Sequence, residues 1–297
     1  MADLSLIKKL REATGCGIAD CNKALAQNQD DFEKSVDWLR KKGLASASKK
    51  AGRVASEGVV AIAIKGNNAT IIEVNSETDF VARNEKFQQF VAKVSHEALT
   101  YGNDIAKFQA DKDEEVKSQI GVVGENINIR RIASISINKG AIVSYIHNSV
   151  AENMGKIAVL VAFESSANHE KLQEIGKQIA MHIAAAKPDA LNIEAVEPAK
   201  LAREIDVLKE QARATGKPEN IIEKMMEGRI RKYYEEVVLL EQAFVMDDKV
   251  KIKDLVAKFA KDNGETKISG FKLFILGDGL DKKENNFAEE VASMTSN

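Results

Sequence analysis

The side chains that could carry covalent or metal chemistry in this sequence are few. It contains four histidines and two cysteines. Cys16 and Cys21 lie in one short stretch without the spacing of a metal site, and neither has a histidine close to it in sequence. No phosphate-binding loop of the form Gly-x-x-x-x-Gly-Lys-Ser/Thr occurs. We therefore predict that the protein is not an enzyme and binds no metal or cofactor.

A loop of ten residues, Asn75–Asn84, instead indicates recognition of another molecule. Its polar side chains, among them Thr78 and Asp79, can accept hydrogen bonds from the free N–H groups at a helix start. Phe80 and Val81 follow at the tip of this polar turn, where polar residues are usual. An apolar pair at the tip of a polar loop is a candidate binding surface.

Two regular elements must position this loop. The preceding residues 70–74 are rich in β-branched side chains, which is typical of a strand. After the loop, apolar residues recur with the i, i+3, i+4, i+7 spacing of a helix, namely Phe87, Phe90, Val91, Val94 and Ala98. Asn84 can cap that helix. The sequence thus predicts a strand, a polar loop and an amphipathic helix.

This unit occurs twice along the chain. Gly58–Ile64 resembles Gly140–Ile146, and Glu85–Gln88 resembles Glu170–Gln173. The apolar helix positions of the first copy correspond to Leu172, Ile175, Gly176, Ile179 and Ile183 in the second. The repeat predicts a core built from two related α/β halves.

The second copy bears on two interpretations of Phe80. The aromatic ring could fold back and staple the helix, or it could bind a partner. The second loop, Glu164–His169, has no counterpart of the Phe80–Val81 pair, so the shared unit does not require it. Both interpretations stay open at this stage. His96 and His182 fall at similar places on the repeated helix, which favours packing or surface roles for them over metal ligation.

Several motifs together resemble the elongation factor Ts family. The segment Thr78–Asn84 is similar to the Thr-Asp-Phe-Val-Ala signature of that family, and Gly124–Arg131 is similar to its Gly-Glu-Asn-Ile-x-Ile-Arg-Arg motif. Near the N-terminus, the family's Thr-Gly-x-Gly-x-x-Asp-Cys pattern is matched by Thr14, Gly15, Gly17, Asp20 and Cys21. Ile18 and Ala19 stand where the family often has methionines, so side-chain detail differs there.

The resemblance implies guanine-nucleotide exchange on elongation factor Tu. Four residues, Thr78, Asp79, Phe80 and Val81, would enter its nucleotide domain and disturb the magnesium site. The N-terminal helices and a C-terminal helix would grip the same domain, and the core would hold another. The weaker contact candidates implied by the motif match are Asp20, His147, Val245 and Met246.

The pattern of elements predicts an α+β fold with an N-terminal three-helix bundle that resembles ubiquitin-associated modules. We expect four parts: residues 1–54 as the bundle with a basic linker at 43–57, 55–139 and 140–280 as the two core copies with antiparallel sheets, and 281–297 as a C-terminal helix. An antiparallel helical hairpin is expected as an insertion at about residues 187–232, since all three prolines fall there.

Composition limits the other possibilities. Charged residues are 30 % and the net charge is -2, so no general attraction to nucleic acid or membranes is implied. We find no apolar run of membrane-spanning length and no signal or transit peptide pattern, and we expect a cytoplasmic protein. The alternatives are an adaptor that uses the three-helix module and an RNA-binding scaffold that uses the basic linker. The oligomeric state is not predicted.

Overall fold

A computed structural model describes residues 3–214, 216 and 218–280 of the 297-residue chain. The helices are α1 Leu4–Thr14, α2 Ile18–Gln27, α3 Phe32–Lys50, α4 Asp79–Ala82, α5 Glu85–Ala98, α6 Ile105–Val123, α7 His169–Ala186, α8 Pro198–Arg213, α9 Glu219–Val237 and α10 Ile252–Asn263. The strands are β1 Glu57–Lys65, β2 Asn68–Ser76, β3 Ile127–Ser136, β4 Gly140–His147, β5 Met154–Gly155, β6 Ile157–Ser165, β7 Ala243–Phe244, β8 Asp247–Lys251 and β9 Thr266–Ile275. The α+β class is confirmed. The expected C-terminal helix at 281–297 lies outside the described residues.

The three N-terminal helices pack around a small core of their own, formed by Ile7, Leu10, Cys21, Ala24, Leu25 and Leu39. Asp3 and Asp31 cap α1 and α3 by accepting backbone N–H groups, and Gly15 ends α1 in the left-handed region at φ 71°. The expectation of a linker beginning at Gly43 is wrong, because α3 continues to Lys50. Gly43 packs directly against Gly121 of α6, and the absence of side chains lets the two helices meet closely.

The two core copies share one topology. In the first, β2 is the middle strand between β1 and β3, and in the second, β6 is the middle strand between β4 and β9. All these pairings are antiparallel. Gly58, the second residue of β1, and Gly140, the first residue of β4, both have positive φ, and a Cβ there would lie 2.2 and 2.1 Å from the carbonyl oxygens of Val74 and Phe163. The matching glycine conformations show that the repeat extends to backbone detail.

The two sheets pack face to face between outer layers of helices. Because side chains alternate along a strand, Val59 and Ala61 face the helices α5 and α6, whereas Val60 and Ile62 face the second sheet. The sheet-to-sheet cluster also contains Ile71, Ile142, Ala158, Leu160, Ala162 and Phe274. Both faces of the middle strands are buried, which explains their nearly continuous apolar sequences.

The tip of the β4–β6 hairpin links the copies. Met154 and Gly155 form β5, which pairs with Val60 and Ala61 of β1 and adds a fourth strand to the first sheet. A Cβ at Gly155 would lie 2.5 Å from Ile146 and 2.8 Å from the carbonyl of His147, so this close return of the chain needs glycine. The sequence repeat alone did not indicate that the second copy contributes a strand to the sheet of the first.

The helices α8 and α9 form an antiparallel hairpin between α7 and β7. Their distal halves share a small apolar cluster centred on Ala212, Ile222 and Met226. Their base packs through Ala190, Val196 and Val238. α9 runs to Val237, five residues beyond the predicted end of the insertion. Within the described part of the chain, no helix is long and apolar enough to cross a bilayer.

Candidate functional site

The loop between β2 and α5 contains one short helical turn, α4. Asn84 caps α5, because its Oδ1 accepts hydrogen bonds from the N–H groups of Lys86 at 2.9 Å and Phe87 at 3.2 Å. Thr78 lies directly before α4, but its side chain does not cap that turn. Its hydroxyl is engaged elsewhere, so the cap predicted at Asn84 forms and the one predicted at Thr78 does not.

The two apolar residues of the loop differ in direction, one toward solvent and one toward the core. Phe80 is 81 % exposed, so its ring does not staple α5. Val81 is 6 % exposed and belongs to the core cluster together with Ala82 and Phe87. The expectation that both side chains lie at the exposed tip is therefore wrong for Val81. A single residue step separates the two directions, because successive helical residues are about 100° apart. Val81 anchors the turn that presents Asp79 and Phe80 to solvent.

A carboxylate from a distant part of the chain holds the first residue of this turn. Glu125, at the entrance to β3, accepts the backbone N–H of Thr78 at 2.9 Å and its hydroxyl at 2.6 Å. Glu77 in turn accepts the backbone N–H of Asn126 at 2.7 Å. Glu125 and Asn126 belong to the Gly124–Arg131 motif, which by itself does not indicate this role. Their separation from the loop, 47 and 49 positions, left no local signal of the contact.

A buried ionic cluster lies behind the loop, on the face of the first sheet that meets the second copy. The carboxylate of Glu73 is fully buried and accepts hydrogen bonds from the guanidinium groups of Arg130 at 3.0 Å and Arg131 at 2.5 Å. Asn75 and the N–H of Gly277 donate to it as well, both at 3.0 Å. Burial by itself raises the pKa of Glu73, but these donors outweigh it and hold the pKa below its ordinary value.

Arg130 is the extra residue of a β-bulge in β3, since Glu73 pairs with Arg131 and Val74 pairs with Ile129. Its guanidinium also donates to the carbonyl of Asp278, after the last strand of the second copy. The bulge therefore aims both arginines at one carboxylate and ties β3 to the end of β9.

Asp20 lies in the first turn of α2, half-exposed, and forms a salt bridge with Lys42 of α3. The neighbouring Ile18 is 57 % exposed. The bundle thus presents an apolar side chain beside a carboxylate that is held in place by a lysine. Such a surface patch can contribute to a polar contact with another protein.

His147 is exposed at the end of β4. Its Nδ1 lies 3.0 Å from the hydroxyl of Tyr145. The backbone carbonyl of His147 accepts the N–H of Lys156, which closes the longer hairpin beyond it. The ring is thus oriented by a tyrosine on the same strand while its other edge remains available.

Val245 and Met246 form the two-residue connection between β7 and β8, and each is 51 % exposed. A buried histidine holds this connection. His182 accepts the backbone N–H of Val245 at Nδ1, 3.2 Å away, and its Nε2 lies 2.9 Å from Oε1 of Gln242. An N–H donor on one side and a carbonyl acceptor on the other fix the neutral ring with its proton on Nε2. Burial lowers the pKa of His182.

His182 and His96 occupy similar places on the repeated helix, but they differ in burial. His96 is exposed near the end of α5, whereas His182 is fully buried. Its packing role agrees with the prediction, and its support of the Val245–Met246 turn was not foreseen. Within residues 3–214, 216 and 218–280, no group of three or more His, Cys, Asp or Glu side chains is arranged to hold a metal ion.

The candidate residues thus lie on four separate elements: α2, the β2–α5 loop, the end of β4 and the β7–β8 connection. No shared cleft is needed to explain their positions. Such an arrangement of exposed side chains on supported turns suits a broad contact with a macromolecule better than the capture of a small ligand.

Comparison with known proteins gives the same family along nearly the whole chain. Residues 77–278 match the family model described as "Elongation factor TS". The protein named elongation factor Ts from Rhodospirillum centenum is 54 % identical over 305 residues, covering 99 % of each chain. Its namesake from Paramagnetospirillum magneticum is 50 % identical, covering 97 % of this chain and 96 % of that protein. Another, from Brucella anthropi, is 49 % identical and covers 97 % of each. The chain therefore belongs to the elongation factor Ts family.

Proposed function

We propose that this translation elongation factor binds elongation factor Tu in its GDP form and accelerates release of the nucleotide without any covalent step. The observation that carries the proposal is Phe80, a large aromatic side chain held 81 % exposed on an anchored helical turn. The corresponding loop of the second copy has no such turn. A large aromatic side chain held exposed at a fixed position keeps apolar surface in contact with water, which is unfavourable. A partner can bury that surface.

Exchange requires that the factor bind nucleotide-free partner more tightly than nucleotide-bound partner. Each tenfold gain in release rate corresponds to about 1.4 kcal/mol of such differential stabilisation. Burial of one phenylalanine contributes about 1.5–3 kcal/mol at most. Phe80 alone therefore accounts for roughly ten- to hundredfold, and further contacts must supply the rest.

Three other supported surfaces are available for those contacts. They are the exposed face around Asp20 and Ile18, the ring of His147, and the connection of Val245 and Met246. Each is positioned by a neighbouring side chain of the same chain, namely Lys42, Tyr145 and His182. Surfaces that are already ordered lose less conformational entropy on binding. We include a cytoplasmic location in the proposal, in keeping with a role in translation.

The test is nucleotide release from a bacterial elongation factor Tu loaded with labelled GDP. This protein is added in catalytic amount with excess unlabelled nucleotide. We expect faster release with many turnovers per molecule of factor. We also expect excess GDP with magnesium to dissociate the binary complex, because the coupling between the two ligands is reciprocal.

The controls decide between the proposal and its alternatives. An adaptor would bind the partner without changing the release rate, and such a result would refute the exchange mechanism. Binding that is unaffected by nucleotide would do the same. An RNA-binding scaffold would lose its ligand steeply with added salt, whereas exchange on a protein partner should persist.

A further inference from the structure

The exposed turn at Phe80 is an insertion into a repeated unit, and the structure shows where it begins and ends. Ser76 and Ser165 are equivalent last residues of the middle strands, and Asn84 and Asn168 are equivalent helix caps. Eight positions separate the pair in the first copy, and three separate it in the second. The first copy therefore carries five additional residues between the same two anchors.

The short loop of the second copy is stabilised locally. The hydroxyl of Ser165 accepts the N–H of Ala167 at 3.0 Å, and Asn168 then starts the helix. In the first copy, Ser76 instead donates to the carbonyl of Thr78 at 2.9 Å. That single local bond precedes the inserted turn and leaves the N–H and hydroxyl of Thr78 to be satisfied elsewhere. Both groups are taken by Glu125.

The bond to Glu125 is one half of a reciprocal pair. Glu125 accepts the N–H of Thr78, and Glu77 accepts the N–H of Asn126. Each segment therefore provides one carboxylate acceptor and one backbone N–H donor to the other. The Asn126 amide also donates to the carbonyl of Arg53 at 2.8 Å. Charged hydrogen bonds of this kind are stronger than neutral ones and fix geometry at both ends. The pair joins the loop to the start of β3.

The segment that contains Glu125 also contacts the N-terminal helices. Gly124, which precedes Glu125, ends α6 in the left-handed region at φ 86°. Its carbonyl accepts a hydrogen bond from Lys50 at 2.6 Å, at the end of α3. The turn that carries Phe80 is therefore braced from outside its own unit, through the α6–β3 corner and the end of α3.

From these contacts we infer that Glu125 is the positioning residue of the Phe80 turn, in a reciprocal carboxylate brace with Glu77. The inference rests on the proposed function for its biological consequence. Without the brace, Thr78 has no partner within the described part of the chain for either donor, and we expect the turn to sample conformations in which the ring of Phe80 is not held in this position. Binding must then order the turn, and the loss of conformational entropy weakens the interaction, whereas in the native chain the brace has already ordered it.

The inference is tested by replacing Glu125 in the full-length chain. Glu125→Gln keeps the shape of the side chain but removes the charge and one acceptor. We expect the maximal rate of stimulated GDP release to fall by roughly tenfold or more, the range for a lost charged hydrogen bond. The concentration of factor at half-maximal rate should change much less, because the other contact surfaces remain intact.

The chain offers a matched control in Glu164, whose carboxylate also accepts two backbone N–H groups, from Asn138 at 2.8 Å and Lys139 at 3.2 Å. Glu164→Gln should leave exchange unchanged. A double-mutant cycle with Thr78→Val adds a second check. The two losses should be non-additive, because both variants disrupt one contact.

A second measurement needs no partner and separates this inference from the proposed function. The sequence has one tryptophan, Trp38. In a Trp38→Phe, Phe80→Trp background, time-resolved fluorescence anisotropy reports nanosecond motion of the turn. We expect Glu125→Gln to increase the amplitude of that motion and Glu164→Gln to leave it unchanged. Unchanged motion in the Glu125 variant would overturn the positioning role, whatever the exchange assay gives. Failure of the unmodified chain to stimulate release would instead refute the proposed function.

Discussion

Truncation of Phe80 to alanine should separate exchange from folding. The side chain is 81 % exposed in the folded chain, so its removal takes away little packing. A substitution at such a surface changes the free energy of unfolding by about 0.5 kcal/mol or less. For a protein of this size, that is a shift of about 1–2 °C in melting temperature.

The effect on exchange should be much larger. Complete burial of a phenylalanine contributes about 1.5–3 kcal/mol, and most of this ring is available for burial by a partner. Alanine keeps Cβ, so we expect a loss of about 1–2 kcal/mol, or a five- to thirtyfold lower rate of GDP release. The assay is label release from elongation factor Tu, normalised to the folded fraction measured by thermal unfolding.

Phe87, seven residues away, provides the opposite control. It is fully buried in the first core cluster. Phe87→Ala should cost about 3–5 kcal/mol of stability, because it leaves a cavity. Its exchange rate per folded molecule should stay close to that of the unmodified chain. The reasoning fails if Phe80→Ala unfolds several degrees lower yet exchanges normally, since the ring would then be a packing residue in solution.

Two further predictions concern the buried polar groups. Glu73→Gln should lower the free energy of unfolding by about 2–4 kcal/mol, because it leaves Arg130 and Arg131 without their shared carboxylate. Urea denaturation measures this loss. A loss smaller than that caused by the same substitution at an exposed glutamate would contradict the prediction. The buried, neutral His182 has a lowered pKa, so below about pH 6.5 the unfolded chain takes up a proton that the folded chain does not. Stability from this group is complete above that pH and should fall on acidification by at most about 1.4 kcal/mol per pH unit. Comparison with His182→Gln between pH 8 and 5.5 isolates this slope, and equal slopes in both chains would show that the group is not the cause.

Local patterns in the sequence determined much of the fold. The alternation in the strands, the helical spacing after Asn84 and the similarity of Gly58–Ile64 to Gly140–Ile146 predict the duplicated α+β core. These signals are readable because they depend on neighbours a few positions away. The loop with Phe80 stood out for the same reason, since an apolar pair in a polar loop is a local feature and the second copy lacks it.

The tertiary structure decided what the local signals left open. It placed Val81 inward and Phe80 outward, and it assigned the hydroxyl of Thr78 to Glu125 rather than to a helix cap. Periodicity cannot resolve directions within a single turn of helix. A hydrogen bond between residues 47 positions apart depends on how β3 returns beside β2, which no window of sequence contains.

The same limit explains the remaining differences. Residues 43–50 of the predicted linker continue α3, and Gly43 meets Gly121 of α6, a contact between distant segments. Gly155 completes a sheet of the other copy, and His182 differs from His96 in burial although their local sequences place them alike. The sequence by itself thus determined the elements, their repetition and the distinctive loop. Which side chains are buried, braced or presented was decided only by long-range packing, because burial depends on neighbours brought together by the complete fold.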